Sequence, residues 1–370
     1  MKAGWTLSRI SKASLSIMKL AIFEMKYMDD VPPKVAINEA VELAKRYGDD
    51  GDPTFVNGLL GNVFDTSNYT TSTAWTDGKT DINVRQILYV KDGERGIRQS
   101  DGVFQHMKLM PVMYEKLSEQ IDFKDVKAVG VSTRPRCVEG SYMPVFLAGE
   151  GYAKVVANTV GVPLYEFSHQ DGHIMAGIYS SGSFELLEND FISVHLSGGT
   201  TEILKSRYNG FNFDNEIIGG SKDISAGQFI DRVGVKMGLH FPAGKALEQL
   251  ALKTEKGEKL PIAVDGAYMN FSGVETKASR MTESEKCDKS ALALGVLENV
   301  RDTLVKTINK AMTDTNTHRV LIVGGVASNG IIRNGLTKKL DGDVYFAKAE
   351  YSTDNAVGTA YLAHLAHKEA

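Results

Sequence analysis

The sequence predicts a mixed α/β protein of two doubly wound lobes, preceded by a small all-helical segment. From about residue 62 onwards, strands alternate with helices in two successive series, a pattern typical of sheets covered by helices. Before residue 62, apolar residues recur only at helical spacing. A chain of 370 residues also exceeds the usual size of a single core, so more than one structural unit is expected.

The helical segment is predicted to span residues 1–61. Its first helix has one apolar face, made of Leu15, Met18, Ile22 and Met25, and ends at the sequence Asp-Asp-Val-Pro-Pro. A second helix ends near Gly48, and a third follows it. Three short amphipathic helices bury little surface alone, so they need a partner, either the rest of the chain or a second copy.

Lobe I is predicted to span 62–180 and to be completed by 350–370, and lobe II to span 181–349. Alternating and apolar runs predict the strands of both lobes, namely NVFDTSNYTTSTAW, INVRQILYV, VKAVGVS, FISVHLSGGTTEILKS and HRVLIVGG. Helical spacing predicts the helices between them, namely SDGVFQHMKLMPVMYEKL, FLAGEGYAKVVANTVG, ISAGQFIDRVGVKMG and SALALGVLENVRDTLVKTINKAM.

The composition narrows the class of protein. With 42% hydrophobic and 24% charged residues, the chain is typical of globular proteins. A net charge of −4 argues against a broad basic surface, so any nucleic acid must meet a local patch or a basic partner. Only Cys137 and Cys287 occur, which favours a reducing compartment, and Cys137 is expected to be a small buried residue rather than a nucleophile. No run reaches the roughly 20 apolar residues of a membrane span, so we expect a cytoplasmic protein with no membrane contact.

Three loops are suited to binding a nucleotide. Asp65–Ser72 and Ser197–Glu202 each follow a strand and offer small hydroxyl side chains and backbone N–H groups that can hold anionic oxygens. One such hairpin in each lobe is the arrangement of actin-like, ribonuclease H-like ATP-binding proteins. A third loop, Val323–Gly330, lies between a strand and a helix N-terminus, which favours anions.

Two histidines and a distant aspartate form a candidate metal site. His169 and His173 are four residues apart, so a helix would place both imidazoles on one face. Asp354 would complete a set of two histidines and one carboxylate that suits Fe(II) or Zn(II). The alternatives are a chance histidine pair and a plain helix N-cap at Asp354.

Seven motifs follow one another in the order of a known family. They are DTSNYTTS, SHQDGH, LSGGTTE, DISAGQFIDRVGVKMGLHFPAG, NFSG, GGVASN and STDNA. On these motifs, residues from about 62 to 366 resemble the tRNA threonylcarbamoyl-adenosine synthases, once described as O-sialoglycoprotein endopeptidases. The resemblance implies an actin-like (ASKHA) fold and a divalent metal bound by His169, His173 and Asp354, with His195 as a possible further ligand.

The resemblance also implies a site for an adenine nucleotide, either threonylcarbamoyl-AMP or ATP. Together with the loops, it assigns to this site Asp65, Ser67, His195, Leu196, Ser197, Gly198, Gly199, Asp231, Gly244, Glu248 and Asn329. Asp231 is expected to accept both ribose hydroxyl protons. Gly244 and Asn329 are expected to line a wall of the cleft.

Several positions depart from the family pattern. RPRCVEGSYMP, at Arg134–Pro144, stands in place of a Gly-Pro-Gly turn, and Thr200 follows the glycine pair of lobe II. Glu275 stands where a lysine is common, and Pro242–Lys245 also differ. These changes indicate a paralogue whose substrate or partner has shifted.

The implied reaction is transfer of a threonylcarbamoyl group from its adenylate to an adenosine beside the tRNA anticodon. Such enzymes work with a second actin-like subunit and a small ATPase. A metallopeptidase is the weaker alternative, because Gln170 stands where an HExxH helix has its glutamate. A sugar or acetate kinase of the same fold would give the paired histidines no role.

The N-terminal segment resembles a different family. PPKVAINEAVELAKRYG followed by FVNGLLG is similar to the C-terminal half of the N-utilisation-substance-B (NusB) antitermination factors, helical bundles that bind RNA and a small ribosomal protein. A non-catalytic, RNA-associated scaffold is therefore a second alternative function. The favoured interpretation of the segment itself is a truncated helper or a remnant of a neighbouring gene.

Overall fold

The computed structural model describes residues 62–67, 69–90, 97–123 and 126–369. The three predicted N-terminal helices lie outside this part of the chain. Among the described helices, none has the length and apolarity needed to cross a membrane.

The sheet of lobe I has five strands in the order β3-β2-β1-β4-β5. The three strands nearest the N-terminus pair antiparallel, and the last two add in parallel. The strands are β1 Asn62–Thr66, β2 Thr70–Thr76, β3 Asp81–Ile87, β4 Val129–Arg134 and β5 Leu164–Ser168. Alternation along β1 separates two cores, since Val63 and Phe64 are both buried but belong to different apolar clusters.

Helices cover both faces of this sheet. The helices α1 Gln99–Ser118 and α2 Phe146–Val160 contact each other and the Phe64 side. The helices α3 His169–Ser181 and α9 Val357–Glu369 contact each other on the opposite side. The α3–α9 layer also packs on Leu321 and Val323 of lobe II, so it lies between the two sheets.

The sheet of lobe II repeats the same topology with an extension. Its order is β12-β11-β6-β7-β8-β10-β9, in which β6, β7 and β8 pair antiparallel and β11 and β12 add in parallel to β6. The strands are β6 Phe191–Leu196, β7 Thr201–Tyr208, β8 Phe213–Ser221, β9 Val264–Asp265, β10 Tyr268–Met269, β11 Arg319–Val323 and β12 Asp343–Phe346. The helices are α4 Ala226–Lys236, α5 Gly244–Ala251, α6 Ser272–Met281, α7 Lys289–Thr315 and α8 Gly330–Lys339.

The predicted two-lobed α/β fold is confirmed in the described residues. Each predicted strand and helix from residue 62 onwards has a counterpart, and the first predicted strand divides into the hairpin β1–β2. Each lobe therefore begins with a hairpin whose turn follows its first strand. The residue boundaries given above for the lobes stay a prediction.

Candidate metal centre and nucleotide cleft

The helix α3 begins where it does because Ser168 caps it. The Ser168 hydroxyl accepts a hydrogen bond from the Asp171 backbone N–H at 3.1 Å, and the Asp171 carboxylate accepts one from the Ser168 N–H, also at 3.1 Å. This reciprocal capping box places His169 at the first helical position. His173 then lies one turn later on the same face, as its spacing predicts.

Two glycines bring the last helix against α3. A Cβ on Gly358 would lie 1.9 Å from the Gly172 carbonyl oxygen, and one on Gly172 would lie 2.6 Å from the Thr359 hydroxyl. Only glycine allows so close an approach of two backbones. The crossing carries the segment before α9, and with it Asp354, to the histidine face.

The alternative interpretation of Asp354, a plain helix N-cap, is not supported by the hydrogen bonds at the start of the last helix. The helix α9 starts at Val357, whose backbone N–H donates to the side-chain oxygen of Asn355 at 3.1 Å. The Asp354 carboxylate faces the histidines instead. Its neighbour Thr353 is held by Arg85, whose Nη1 donates to the Thr353 hydroxyl at 2.6 Å.

His169, His173 and Asp354 form a triangle of metal-ligand atoms. The two histidine Nε2 atoms lie 3.0 Å apart, and Asp354 Oδ1 lies 3.5 Å from that of His169 and 3.4 Å from that of His173. A cation held at about 2.0–2.2 Å by three atoms requires them to lie about 3.0–3.5 Å apart. The residues therefore fit a divalent ion, with positions left open for other ligands.

A second layer of polar groups orients these ligands. Asp65 is fully buried, and its Oδ1 lies 3.2 Å from Nδ1 of His169, which leaves the Nε2 lone pair for the cation. Ser67 donates to Asp354 Oδ2 at 2.6 Å. The second oxygen of Asp65 is buried with no hydrogen-bond partner among the described residues, which concentrates negative charge beside the site.

The carboxylates and imidazoles of the site change one another's acidity. Burial lowers the pKa of His169, but the carboxylates of Asp65 and Asp354 outweigh burial and raise that pKa to about 10. Burial alone would raise the pKa of Asp354, whereas the two histidines hold it well below its usual value. A metal ion bound at this site would therefore displace a proton from His169 and take its place between the carboxylates.

His195 lies beside the ligand triangle. It projects from β6, and its ring centroid is 4.9 Å from that of His173. Burial, and then the two neighbouring histidines, lower the pKa of His195 to about 3, so its imidazole is neutral. The three-residue ligand group of the described chain does not include it, and its role as a further ligand stays a prediction.

The turn at Ser197–Thr200 is open to a ligand. Ser197 N–H donates to the Thr200 carbonyl at 2.9 Å, and Thr200 N–H donates to the Ser197 hydroxyl at 3.0 Å. Gly198 and Gly199 are exposed, and a Cβ on either would meet open space. In the described part of the chain their N–H groups have no hydrogen-bond partner, as an anion site requires.

Neighbouring loops hold this turn in place. A Cβ on Gly227, in the first turn of α4, would lie 2.5 Å from the Ser197 carbonyl oxygen. Gly324 has φ +102°, and a Cβ there would lie 2.3 Å from the carbonyl oxygen of the buried Leu196. The third predicted loop therefore packs directly behind the second.

The remaining residues predicted to contact the nucleotide form hydrogen bonds at the starts of α5 and α8 in lobe II. Asp231 Oδ1 accepts from the Ala243 N–H at 2.7 Å, so this oxygen holds the loop before Gly244. Glu248 accepts from the Gly330 N–H at 2.6 Å, and Asn329 caps α8. Contact of Asp231 with both ribose hydroxyls stays a prediction, and one of its oxygens already has a partner. Burial raises the pKa of Asp231.

A polar contact across the cleft was not predicted from the sequence. In the loop that departs from the family pattern, Arg136 forms an ion pair with Glu202 of β7. Gln170, next to His169, donates to the other Glu202 oxygen at 3.5 Å. Burial raises the pKa of Glu202, and Arg136 opposes that rise. The two arginines of RPRCVEGSYMP, which stand in place of a Gly-Pro-Gly turn, were the sequence signal that could have indicated such a contact.

The prediction that Cys137 is buried is wrong, because Cys137 is exposed on the same loop.

The fold and site define a class of two-lobed, actin-like proteins with a candidate His-His-Asp metal site in the cleft. Full-length HypF, solved in its phosphate- and nucleotide-bound form, has a similar fold, with a TM-score of 0.52 and 15% identity. The likeness covers 84% of this chain and 55% of the HypF chain, so this chain spans about half the length of HypF.

The chain belongs to the tRNA N6-adenosine threonylcarbamoyltransferase family, whose model matches residues 95–361. The enzyme of that name from Christiangramia forsetii is 30% identical over 266 residues, which are 67% of this chain and 75% of the relative. The enzyme of that name from Thermus thermophilus is 29% identical over 303 residues, which are 79% of this chain and 88% of the relative. The NusB family model matches residues 1–65, which confirms the N-terminal resemblance. Family membership favours a transferase over the scaffold and peptidase alternatives.

Proposed function

We propose that this protein transfers a threonylcarbamoyl group from threonylcarbamoyl-AMP to N6 of an adenosine in the anticodon loop of tRNA. A bond forms between N6 and the carbamoyl carbon, the bond from that carbon to the phosphate oxygen breaks, and AMP and a proton leave. The observation that carries the proposal is the His169–His173–Asp354 triangle, which shares a cleft with an open glycine turn in a chain of this family.

The metal we propose is Fe(II) or Zn(II), held by His169, His173 and Asp354. Two imidazoles and one carboxylate with open positions suit either ion. When bound, it would supply a Lewis acid that polarises the carbamoyl or threonyl oxygen. Asp65 and Ser67 keep the ligand atoms pointed at one place through their hydrogen bonds to His169 and Asp354.

The turn at Ser197–Gly199 is proposed to receive the phosphate of the adenylate. Gly198 and Gly199 are exposed, their N–H groups have no hydrogen-bond partner among the described residues, and no Cβ of their own stands in the way of an oxygen. Donors fixed before the reaction stabilise the charge that develops on the leaving AMP without reorganising. The fold holds them through Gly227 and Gly324, which press against the same turn.

The proposed partners are tRNA, a second actin-like subunit and a small ATPase, and the proposed compartment is the cytoplasm. A net charge of −4 supports tRNA contacts that are shared among several subunits, because a phosphate backbone needs basic groups. The choice of these partners rests on the relationship of this chain to its family.

The test is AMP release from threonylcarbamoyl-AMP by purified protein, with and without unmodified tRNA and the source organism's own partner subunits. We expect release that depends on tRNA and one modified adenosine per AMP, measured by mass spectrometry of the digested tRNA. Release that ignores tRNA and leaves it unmodified would refute the proposal. Substituting the exposed histidine His318 with alanine provides a control that should retain activity.

A further inference from the structure

The loop after β4 is fixed against the ligand helix. The Pro135 carbonyl accepts a hydrogen bond from the Gln170 N–H at 3.0 Å, and the Arg136 N–H donates to the Ser141 hydroxyl at 3.0 Å. Gln170 directly follows His169 in sequence. The backbone on either side of the Arg136 side chain is therefore tied down at the edge of the metal centre.

The side chain of Arg136 reaches from lobe I to lobe II. It pairs with Glu202, which is the cross-strand partner of His195. Directly opposed side chains lie on the same face of a sheet, so Glu202 and His195 face the cleft together. The ring of His195 in turn lies against that of His173. The side chain of His195 therefore lies between the ion pair and the candidate metal ligands.

The guanidinium of Arg136 keeps capacity for a further anion. Only Nη2 bonds to Glu202, and among the described residues the guanidinium makes no other hydrogen bond. Its side chain is 41% exposed, whereas that of Glu202 is 16% exposed. A guanidinium has five N–H donors, so most of them have no partner among the described residues and remain available to an anion.

We propose that Arg136 binds the carboxylate of the threonyl group of the acyl donor and that Glu202 positions it. This inference rests on the proposed function, in which the donor carries two anionic groups. The glycine N–H groups of the β6–β7 turn serve the phosphate, and Arg136 is a basic side chain placed beside the candidate metal ligands to receive the carboxylate. The planar fork of an arginine matches a carboxylate with two parallel hydrogen bonds. Arg136 is therefore a specificity residue, and Glu202 acts through it.

The test compares two donors on the Arg136→Gln variant. One is threonylcarbamoyl-AMP, and the other is the same adenylate made with 1-amino-2-propanol, which is threonine without its carboxylate. Loss of a charged hydrogen-bonded pair should raise KM and the calorimetric Kd for the first donor about 10- to 100-fold. Values for the second donor should change less than about twofold, and Arg136→Lys should be intermediate.

A double variant separates carboxylate binding from simple neutralisation of Glu202. If Arg136 only cancels the charge of Glu202, then Arg136→Gln combined with Glu202→Gln should restore the wild-type KM, and the proposal fails. We expect the double variant to keep the defect and Glu202→Gln alone to show a smaller one. The matched control is Arg207→Gln, because Arg207 lies on the same strand as Glu202 and forms an exposed ion pair with Asp190. This control should leave the KM for both donors unchanged.

Other outcomes identify which idea is wrong. An equal loss for AMP itself and for both donors would assign Arg136 to the phosphate and overturn the carboxylate assignment. Equal KM values for wild type and Arg136→Gln, with wild-type turnover intact, would overturn this inference and leave the proposed function standing. A wild-type protein that neither binds the donor nor modifies tRNA would overturn both.

Discussion

The first turns of the two lobes are built alike and used differently. In lobe I, Ser67 N–H donates to the Thr70 carbonyl at 3.0 Å and Thr70 N–H donates to the Ser67 hydroxyl at 3.2 Å. In lobe II, Ser197 and Thr200 make the same two hydrogen bonds at 2.9 and 3.0 Å. Both turns follow the first strand of a sheet with the same topology.

The side chains around the turns create the difference. In the turn of lobe I, Ser67 and Thr70 are buried, and Asp65 and Ser67 point to His169 and Asp354. The turn of lobe II carries Gly198 and Gly199, which are exposed and have no side chain, so a Cβ at either position would meet open space. The same backbone turn therefore supports the candidate metal ligands where its side chains are acidic or hydroxylic, and it leaves room for an anion where side chains are absent.

The largest expected effect comes from the ligands that only the turn of lobe I supports. His169→Ala and Asp354→Ala should each abolish metal binding without unfolding the protein, because each removes one corner of the triangle. Loss of several kcal/mol of transition-state stabilisation should lower AMP release by about 10³-fold or more. Metal analysis and thermal unfolding check this, with His318→Ala as the control. One equivalent of metal retained in both variants would rule out the site.

Asp65→Asn tests whether the turn of lobe I acts through the histidine that it orients. The amide keeps the shape of the side chain but loses the charge beside Nδ1 of His169, so metal affinity should fall about 10- to 100-fold. Competition with a chelator measures this change. Asp101→Asn, on the exposed start of α1, should leave the affinity unchanged. Equal affinities for both variants would show that Asp65 is only structural.

Gly198→Ala tests whether the turn of lobe II is kept open for a ligand. A Cβ there meets no protein atom, so the free energy of unfolding should not fall. The methyl group would instead crowd the bound phosphate and weaken binding of threonylcarbamoyl-AMP about tenfold, the effect of one charged hydrogen bond. Calorimetry measures this, and Gly151→Ala on the exposed face of α2 is the matched control. Unchanged affinity would place the phosphate elsewhere.

The smallest expected effects compare the two serines directly. Ser197→Ala removes the hydroxyl that accepts from the Thr200 N–H, so the free energy of unfolding should fall by about 0.5–1.5 kcal/mol with metal affinity intact. Ser67→Ala also removes a hydrogen bond to Asp354, so it should cost more and weaken metal binding. Denaturant unfolding and chelator competition separate the two. Equal changes in unfolding free energy and in metal affinity for the two variants would contradict the proposal that only the turn of lobe I supports the metal ligands.

Local patterns predicted the elements and the histidine pair. The β-branched and apolar runs of β1 and β2 and the helical spacing in α1 and α7 depend on residues close in sequence, so the pattern and the structure agree. The four-residue spacing of His169 and His173 likewise needs only a helix, which Ser168 and Asp171 start at the right place.

Contacts between distant segments were harder to predict. Asp354 resembled an N-cap because an aspartate before a helix often is one, yet Asn355 serves the helix and frees Asp354 for the histidines. The ion pair of Arg136 with Glu202 joins two lobes, and no local pattern marks either residue as a partner of the other.

By itself, the sequence determined the order of strands and helices, the seven motifs and the types of ligand available to a metal. The tertiary structure decided which of those ligands meet. Gly172 and Gly358 allow α3 and α9 to cross at backbone contact, and this crossing brings a late carboxylate to an early pair of imidazoles. Helical spacing is a property of a few neighbouring residues, whereas such a crossing depends on the packing of two whole sheets around it.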